Sequence, residues 1–265
     1  MKKIALLVTL IGLLTVVQAQ EEVQRAQLSA RIGLSGTTML IPNSTITSLT
    51  SFGYYSTQKL KLGVTGGLIV DIHLKNKWFL QSGVMYGWQR LHQVQNSVFT
   101  DAENYHFSIA SENLYKMHRL KIPVMIYYHT SLSDNHFLVG AGLFADVALG
   151  GKIVYDASAV VQDPDNNTTN YVASGQFDPF LKDTKYLYYS IAGDNYTDKY
   201  RLYRGNILQR FNFGIAAEAG YQVSKFYVGV HADFGLLNMM NKEYGGDNYK
   251  ERLFSFQVML GYKIN

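Results

Sequence analysis

Nine charged residues fall where alternating strands would turn them to one side: Arg31, Lys61, Arg119, Lys121 and Lys263 against Asp71, Asp146, Glu218 and Asp233. Two chemistries are open to such a set. A water-filled interior could use it as an ion path or as a catalytic cluster. A closed interior would require each charge to neutralise another, because a lone ion away from water is too costly. The second outcome is the expectation, with Arg31, Asp71, Arg119, Lys121, Asp146, Glu218 and Asp233 as an interior structural network. A turn centred between Leu132 and Ser133 would set Arg119 opposite Asp146 on the inner face of a hairpin.

Seven histidines raise the question of an enzyme or a metal site. His73 and His231 share the face of the charges, whereas His92 and His118 sit near strand ends. Ser111, Glu112 and His118 are close in sequence, yet no His, Ser and carboxylate fall on one face at adjacent heights. No two histidines have the i, i+2 strand or i, i+4 helix spacing that converges on a metal. The chain is therefore read as non-enzymatic, with no catalytic, cofactor-binding or metal residues assigned.

The elements that must position these side chains are strands. Phe254, Phe256, Val258, Leu260, Tyr262 and Ile264 alternate with Ser255, Gln257, Gly261 and Lys263, with Met259 the one apolar intruder, and successive strand side chains face opposite sides. Seven more segments repeat the pattern, near 28–34, 60–74, 78–88, 119–128, 137–149, 211–221 and 226–236. Glycines fall on the polar row, among them Gly33, Gly63, Gly67, Gly83, Gly140, Gly214, Gly220 and Gly229, with Gly66 the exception. In a barrel of eight strands the interior is crowded, so the glycine row faces in and the aliphatic row faces lipid. A soluble barrel would have the reverse. Connections alternate long and short, the asymmetry of an outer-membrane barrel with short periplasmic turns and long external loops. The fold class expected is all-β: a transmembrane, antiparallel, up-and-down barrel of about eight strands.

Composition agrees. The chain of 265 residues holds 20 Tyr, 14 Phe and 23 Gly but only four Pro and no Cys. Lys2-Lys3, the apolar run Ile4 to Val17 and Ala19 have the form of an export signal, too short to span a bilayer, with cleavage expected after Ala19. Residues 20–265 then form one barrel domain. Losing Lys2 and Lys3 lowers the net charge from +4 to +2, too dispersed a charge to argue for nucleic acid. The partners expected are outer-membrane lipid and envelope or secretion proteins.

Residues 152–204 read as a long external loop rich in tyrosine. Tyr186, Tyr188, Tyr189 and Tyr196, set among small polar residues, have the composition of a recognition surface. A self-packed lid with extra hairpin strands fits the same composition.

With the strands placed, the chain resembles the PorT-like outer-membrane β-barrel proteins of Bacteroidetes. The resemblance rests on Leu120-Lys-Ile-Pro123-Val, on Phe137-Leu-Val-Gly-Ala-Gly-Leu-Phe144 continuing to Gly150-Gly-Lys152, on Phe213-Gly-Ile-Ala-Ala-Glu218-Ala-Gly and on Leu260-Gly-Tyr-Lys-Ile264. It implies a barrel that serves secretion or envelope assembly through contacts with other proteins. The segment between Lys152 and Arg204 is long for that family, and Asn265 stands where a terminal aromatic is usual.

Overall fold

The computed structural model describes residues 26–40, 54–100, 103–181, 184–190, 197–204, 207–240 and 251–264. The expected leader and its cleavage point at Ala19 lie outside them. Among the described residues there are eleven strands: β1 (Ala26–Leu40), β2 (Tyr54–Lys75), β3 (Trp78–Thr100), β4 (His106–His129), β5 (Asn135–Gln162), β6 (Thr168–Phe177), β7 (Thr184–Ser190), β8 (Thr197–Arg204), β9 (Phe211–Val223), β10 (Phe226–Gly235) and β11 (Arg252–Lys263). Eight of them close a ring in the order β4-β3-β2-β1-β11-β10-β9-β5, and the pairing of β4 with β5 completes it. Every neighbour pair is antiparallel, and the closure of β4 on β5 removes the edges of the ring, with β6 lying outside it on β5.

The wall is two-faced in the sense the alternation predicts. On β1, Ile32 is 66% exposed and Leu34 55%, whereas Arg31 is 6% and Ser35 2%. On β11, Phe256, Val258 and Leu260 are exposed, and Ser255, Gln257 and Met259 are buried. Met259, the intruder of the sequence pattern, packs inside with Met85, Met125 and Tyr227. Interior glycines seat the large rings. A Cβ on Gly220 would lie 2.3 Å from the Tyr227 ring, one on Gly229 would lie 1.8 Å from its hydroxyl, and one on Gly140 would lie 2.7 Å from the Tyr127 ring.

Aromatic pairs mark one end of the apolar belt: Trp78 with Tyr128, Phe137 with Tyr221 and Phe226 with Tyr262. Tyr86 and His118, joined by a 2.5 Å hydrogen bond, mark the other. The ten residue steps from His118 to Tyr128 cover about 25 Å at ~3.3 Å per residue and a tilt of roughly 40°, the height of a lipid-facing belt.

Above that belt the pattern inverts. The register between β4 and β5 shifts at His118/Arg119, so that His118 faces Gly150, Arg119 faces Ala148, and Leu149 is the extra residue. Below the bulge β5 turns Leu143, Val147 and Leu149 outward. Above it Ile153, Tyr155, Ala157, Ala159 and Val161 are buried, and Lys152, Asp156 and Ser158 are exposed. The outward row, all apolar below, is mixed above, with Lys152, Asp156 and Ser158 beside Val154 and Val160, as a wall tolerates when its surroundings change from hydrocarbon to water.

Residues 152–204 contain strands, as the lid reading of this segment allows. β5 continues to Gln162, β6 pairs with it from Ile153↔Phe177 to Gln162↔Thr168, and β7 pairs with β8. β2, β3 and β4 likewise run well past the segments that alternation marks, and the long connection expected between β3 and β4 is mostly strand. At the tip joining β5 to β6, Asn167 donates through its side-chain amide and its backbone N–H to Asp163, which holds that carboxyl below the usual range.

Because Glu218 accepts a 2.7 Å hydrogen bond from Tyr227, the ring over Gly229 is not free to swing away. Gly229→Ala should cost about 1–3 kcal/mol by overpacking. The double variant Gly229→Ala, Tyr227→Ala should be less destabilised than the sum of its singles. Urea unfolding of refolded protein in detergent measures both, and strict additivity would contradict the contact.

Candidate functional site

The charged residues converge at mid-barrel. Glu218 on β9 lies directly across from His231 on β10, and Asp233 is the next inward position on β10. Arg31 reaches across the lumen from β1 to Glu218 at 2.5 Å. Tyr227 donates to the same carboxylate oxygen. His231 contacts Glu218 through Nδ1 and Asp233 through Nε2, both at 2.8 Å. A carboxylate oxygen thus stands against each ring nitrogen. Lys121 crosses from β4 to Asp233, which also accepts from Ser255 (3.0 Å) and Gln257 (2.8 Å). The chain Arg31–Glu218–His231–Asp233–Lys121 thus ties together walls three strands apart around the ring.

Arg119 and Asp146 pair, as expected, but by a different register. Asp146 lies directly opposite Lys121, the hairpin being centred one residue later than the sequence suggests, and Arg119 reaches it diagonally from its place across from Ala148. Both side chains are almost fully buried. Asp71 departs from the expectation of charge pairing: its carboxylate accepts from the Gln81 amide at 2.6 Å. Lys263, half-buried, lines the same small cavity as Asp71. Lys61 is exposed and outside the network, because the β2–β3 register slips between Leu60 and Val64.

The remaining candidates disperse. Ser111 points inward, while Glu112 and His118 point outward; Glu112 meets His92 at 3.3 Å and His118 meets Tyr86. His129 stacks between Phe79 and His136 near the short turns. Among the described residues no group of His, Cys, Asp and Glu has the geometry to hold a metal. The backbones of Tyr186, Tyr188 and Tyr189 lie in β7, across from Arg201, Lys199 and Asp198. Tyr196 lies outside the described residues.

Sequence reasoning missed a second core. Leu91, Tyr115, Met117, Ile153, Tyr155, Phe177, Phe180, Ile207, Leu208, Met239 and Met240 form one buried apolar cluster at the head of the barrel. Its inner wall is the extended sheet β2 to β6. Its cover is the chain around 178–181, 207–210 and 236–240, held by Leu208 N–H to Pro179 O (3.1 Å), Gln209 N–H to Met239 O (2.8 Å) and Met239 N–H to Glu251 O (2.7 Å). The signal was available in the inverted alternation of Ile153, Tyr155, Ala157, Ala159 and Val161.

Among the described residues, three cavities inside the barrel measure about 20, 10 and 10 Å3, space for single waters. The geometry is a closed, lipid-facing ring with a filled lumen, and the family model for the outer membrane protein beta-barrel domain matches residues 18–241. The chain belongs to that family. Its location is accordingly the outer membrane. Solved structures similar to this outer-membrane barrel include Ail, the attachment invasion locus protein of Yersinia pestis (11% identity over 91% of this chain and 100% of that one, TM-score 0.31), Neisserial surface protein A (10%, 92% and 100%, 0.32) and OprG from Pseudomonas aeruginosa (10%, 91% and 96%, 0.38). At that level nothing about binding or activity passes from them to this chain. A search of curated proteins finds no match.

For the outer-membrane barrel the pair Arg119–Asp146 offers a direct test. Asp146→Ala leaves a buried guanidinium without its carboxylate and should cost roughly 3–5 kcal/mol, whereas Arg119→Met with Asp146→Ala should cost less than that single change. Unfolding of the three variants in the same detergent measures this. A double variant as unstable as the sum of the singles would remove the pairing from the account.

Proposed function

We propose that this outer-membrane barrel is a sealed, non-enzymatic anchor that holds a folded head outside the membrane for surface interaction. The observation that carries the reading is the filled lumen beneath a second apolar core. A channel has no use for a cross-lumen ion chain and a lid, whereas a display scaffold needs both to keep the head rigid. In this reading the short turns at Asn76 and Ser224 face the periplasm and the head faces out.

Recognition is assigned to the head, with the β7–β8 hairpin and its tyrosines as the contact candidates. The extended sheet and lid are its support. Removing residues 160–200 as a block would take away Phe177 and Phe180 and so open the head core. The hairpin alone is the sharper target. A second reading, carried by the PorT-like motifs, makes the head a docking point for secretion or envelope-assembly proteins.

Reconstituted protein should show no steady ion conductance in planar bilayers. Replacing residues 184–204 with a short Gly-Ser linker should preserve the shift in gel mobility on heating that marks a folded barrel. It should also abolish the surface phenotype of the parent strain. Loss of protein secretion in the same strain would select the second reading, and a large stable conductance would sink both.

A further inference from the structure

The inverted zone carries a feature that neither core nor ion chain uses. Arg90 on β3 lies directly across from Lys116 on β4, and Lys116 lies directly across from Lys152 on β5. All three face outward, Arg90 and Lys116 half-buried and Lys152 exposed. Strands stand about 4.8 Å apart, so three like charges occupy a row of roughly 10 Å. Like charges placed directly opposite destabilise a sheet. Among the described residues no carboxylate forms an ion pair with them: on that face of β4 and β5, Glu112 and Asp156 stand four residues farther from the belt, Glu112 is engaged by His92, and Asp178, one residue past the Phe177 that faces Ile153, accepts from the Phe180 N–H. The position is specific. The row lies one outward step beyond Trp88, His118 and the Gly150 bulge, where the aliphatic belt ends, and the Arg90 guanidinium lies 5.3 Å from the Trp88 ring.

We propose that Arg90, Lys116 and Lys152 bind the phosphate groups of a phosphorylated glycolipid in the leaflet around the head end of the barrel. The occupant is argued from place and charge together. A headgroup lies where hydrocarbon gives way to water, which is the height of this row. Its acyl chains would lie along the outward Leu120, Ile122 and Val147 directly below. Phosphates arriving at that height relieve the cross-strand repulsion, and the planar guanidinium of Arg90 can hold one in two-point fashion. Lys59, paired with His92 one outward step higher, extends the basic surface toward β2. The proposal rests on the barrel sitting in a bilayer with this end in a leaflet that contains such lipid. It does not rest on what the head recognises.

The test uses the full mature chain in nanodiscs of phosphatidylcholine alone, with added lipid A that retains its phosphates, or with dephosphorylated lipid A. Folding in phosphatidylcholine, read by heat-dependent gel mobility, checks the barrel itself. The wild type should melt higher with phosphorylated lipid A than with the dephosphorylated form. The variant Arg90→Gln, Lys116→Gln, Lys152→Gln should lose that difference and bind phosphorylated lipid A at least about tenfold more weakly. In phosphatidylcholine alone it should melt no lower than the wild type, because the repulsion is gone. Should the triple variant fail to fold, the three single Gln variants serve, each losing part of the difference, while Lys116→Arg keeps it. An undiminished difference in the neutralised variants overturns the proposal. So does an equal gain from dephosphorylated lipid A, or from inorganic pyrophosphate in solution, which would assign the row to a soluble anion.

Discussion

The structure is organised by a change of solvent part-way up its wall. Below the level of His118 and Gly150 the ring is surrounded by hydrocarbon, and every backbone polar group must be satisfied within the closed ladder. Its outward side chains are aliphatic, and polar groups are confined to the lumen. Above that level the same strands meet water, and the energetics reverse. The bulge at Leu149 supplies the mechanism: one extra residue in β5 exchanges the two faces of the strand without interrupting its pairing to β4. A single strand is thus membrane wall over its first half and wall of a water-facing domain over its second.

The two halves solve the filling of the interior differently. In the membrane half, charged and amide side chains that neutralise one another share the lumen with apolar ones such as Phe79, Met85, Met125, Phe144 and Met259. Arg31–Glu218 and Lys121–Asp233 cross the lumen, and His231 joins them. Such a chain contributes little net stability over an apolar filling, but breaking one member leaves a buried ion. It therefore fixes which strands face each other across the barrel. In the head, water outside permits an ordinary apolar core. Phe177, Phe180, Leu208 and Met240 supply it and close the mouth.

Much of the membrane half is legible in the sequence because lipid imposes strict alternation. The eight strands, the inward glycine row and the inward placement of Arg31, Arg119, Glu218 and Asp233 all follow from it. Contacts across the lumen are not legible, since they depend on ring closure and tilt, which bring β1 to β9 and β4 to β10. Nor is the register of a hairpin whose turn, from Thr130 to Asp134, has no two-residue signature. The pairing of Asp146 with Lys121 across the ladder, and not with Arg119, is for that reason not legible. A lid is one of two open readings, but the continuation of the barrel strands into it is not legible, for a physical reason: at the Leu149 bulge the parity of the β5 pattern changes. A continuing strand then has the appearance of a polar loop.

The chain contains no cysteine, so single cysteines can report the surroundings of each outward position. The most direct test places one fluorophore at a time at Leu143, Val147, Lys152 and Asp156 on β5 in reconstituted vesicles. Each is then quenched with a lipid-borne spin label or with aqueous iodide. The first two positions should respond to the lipid quencher and the last two to iodide, with the changeover across Leu149 to Gly151. Lipid quenching at Asp156, or iodide quenching at Leu143, would contradict the account.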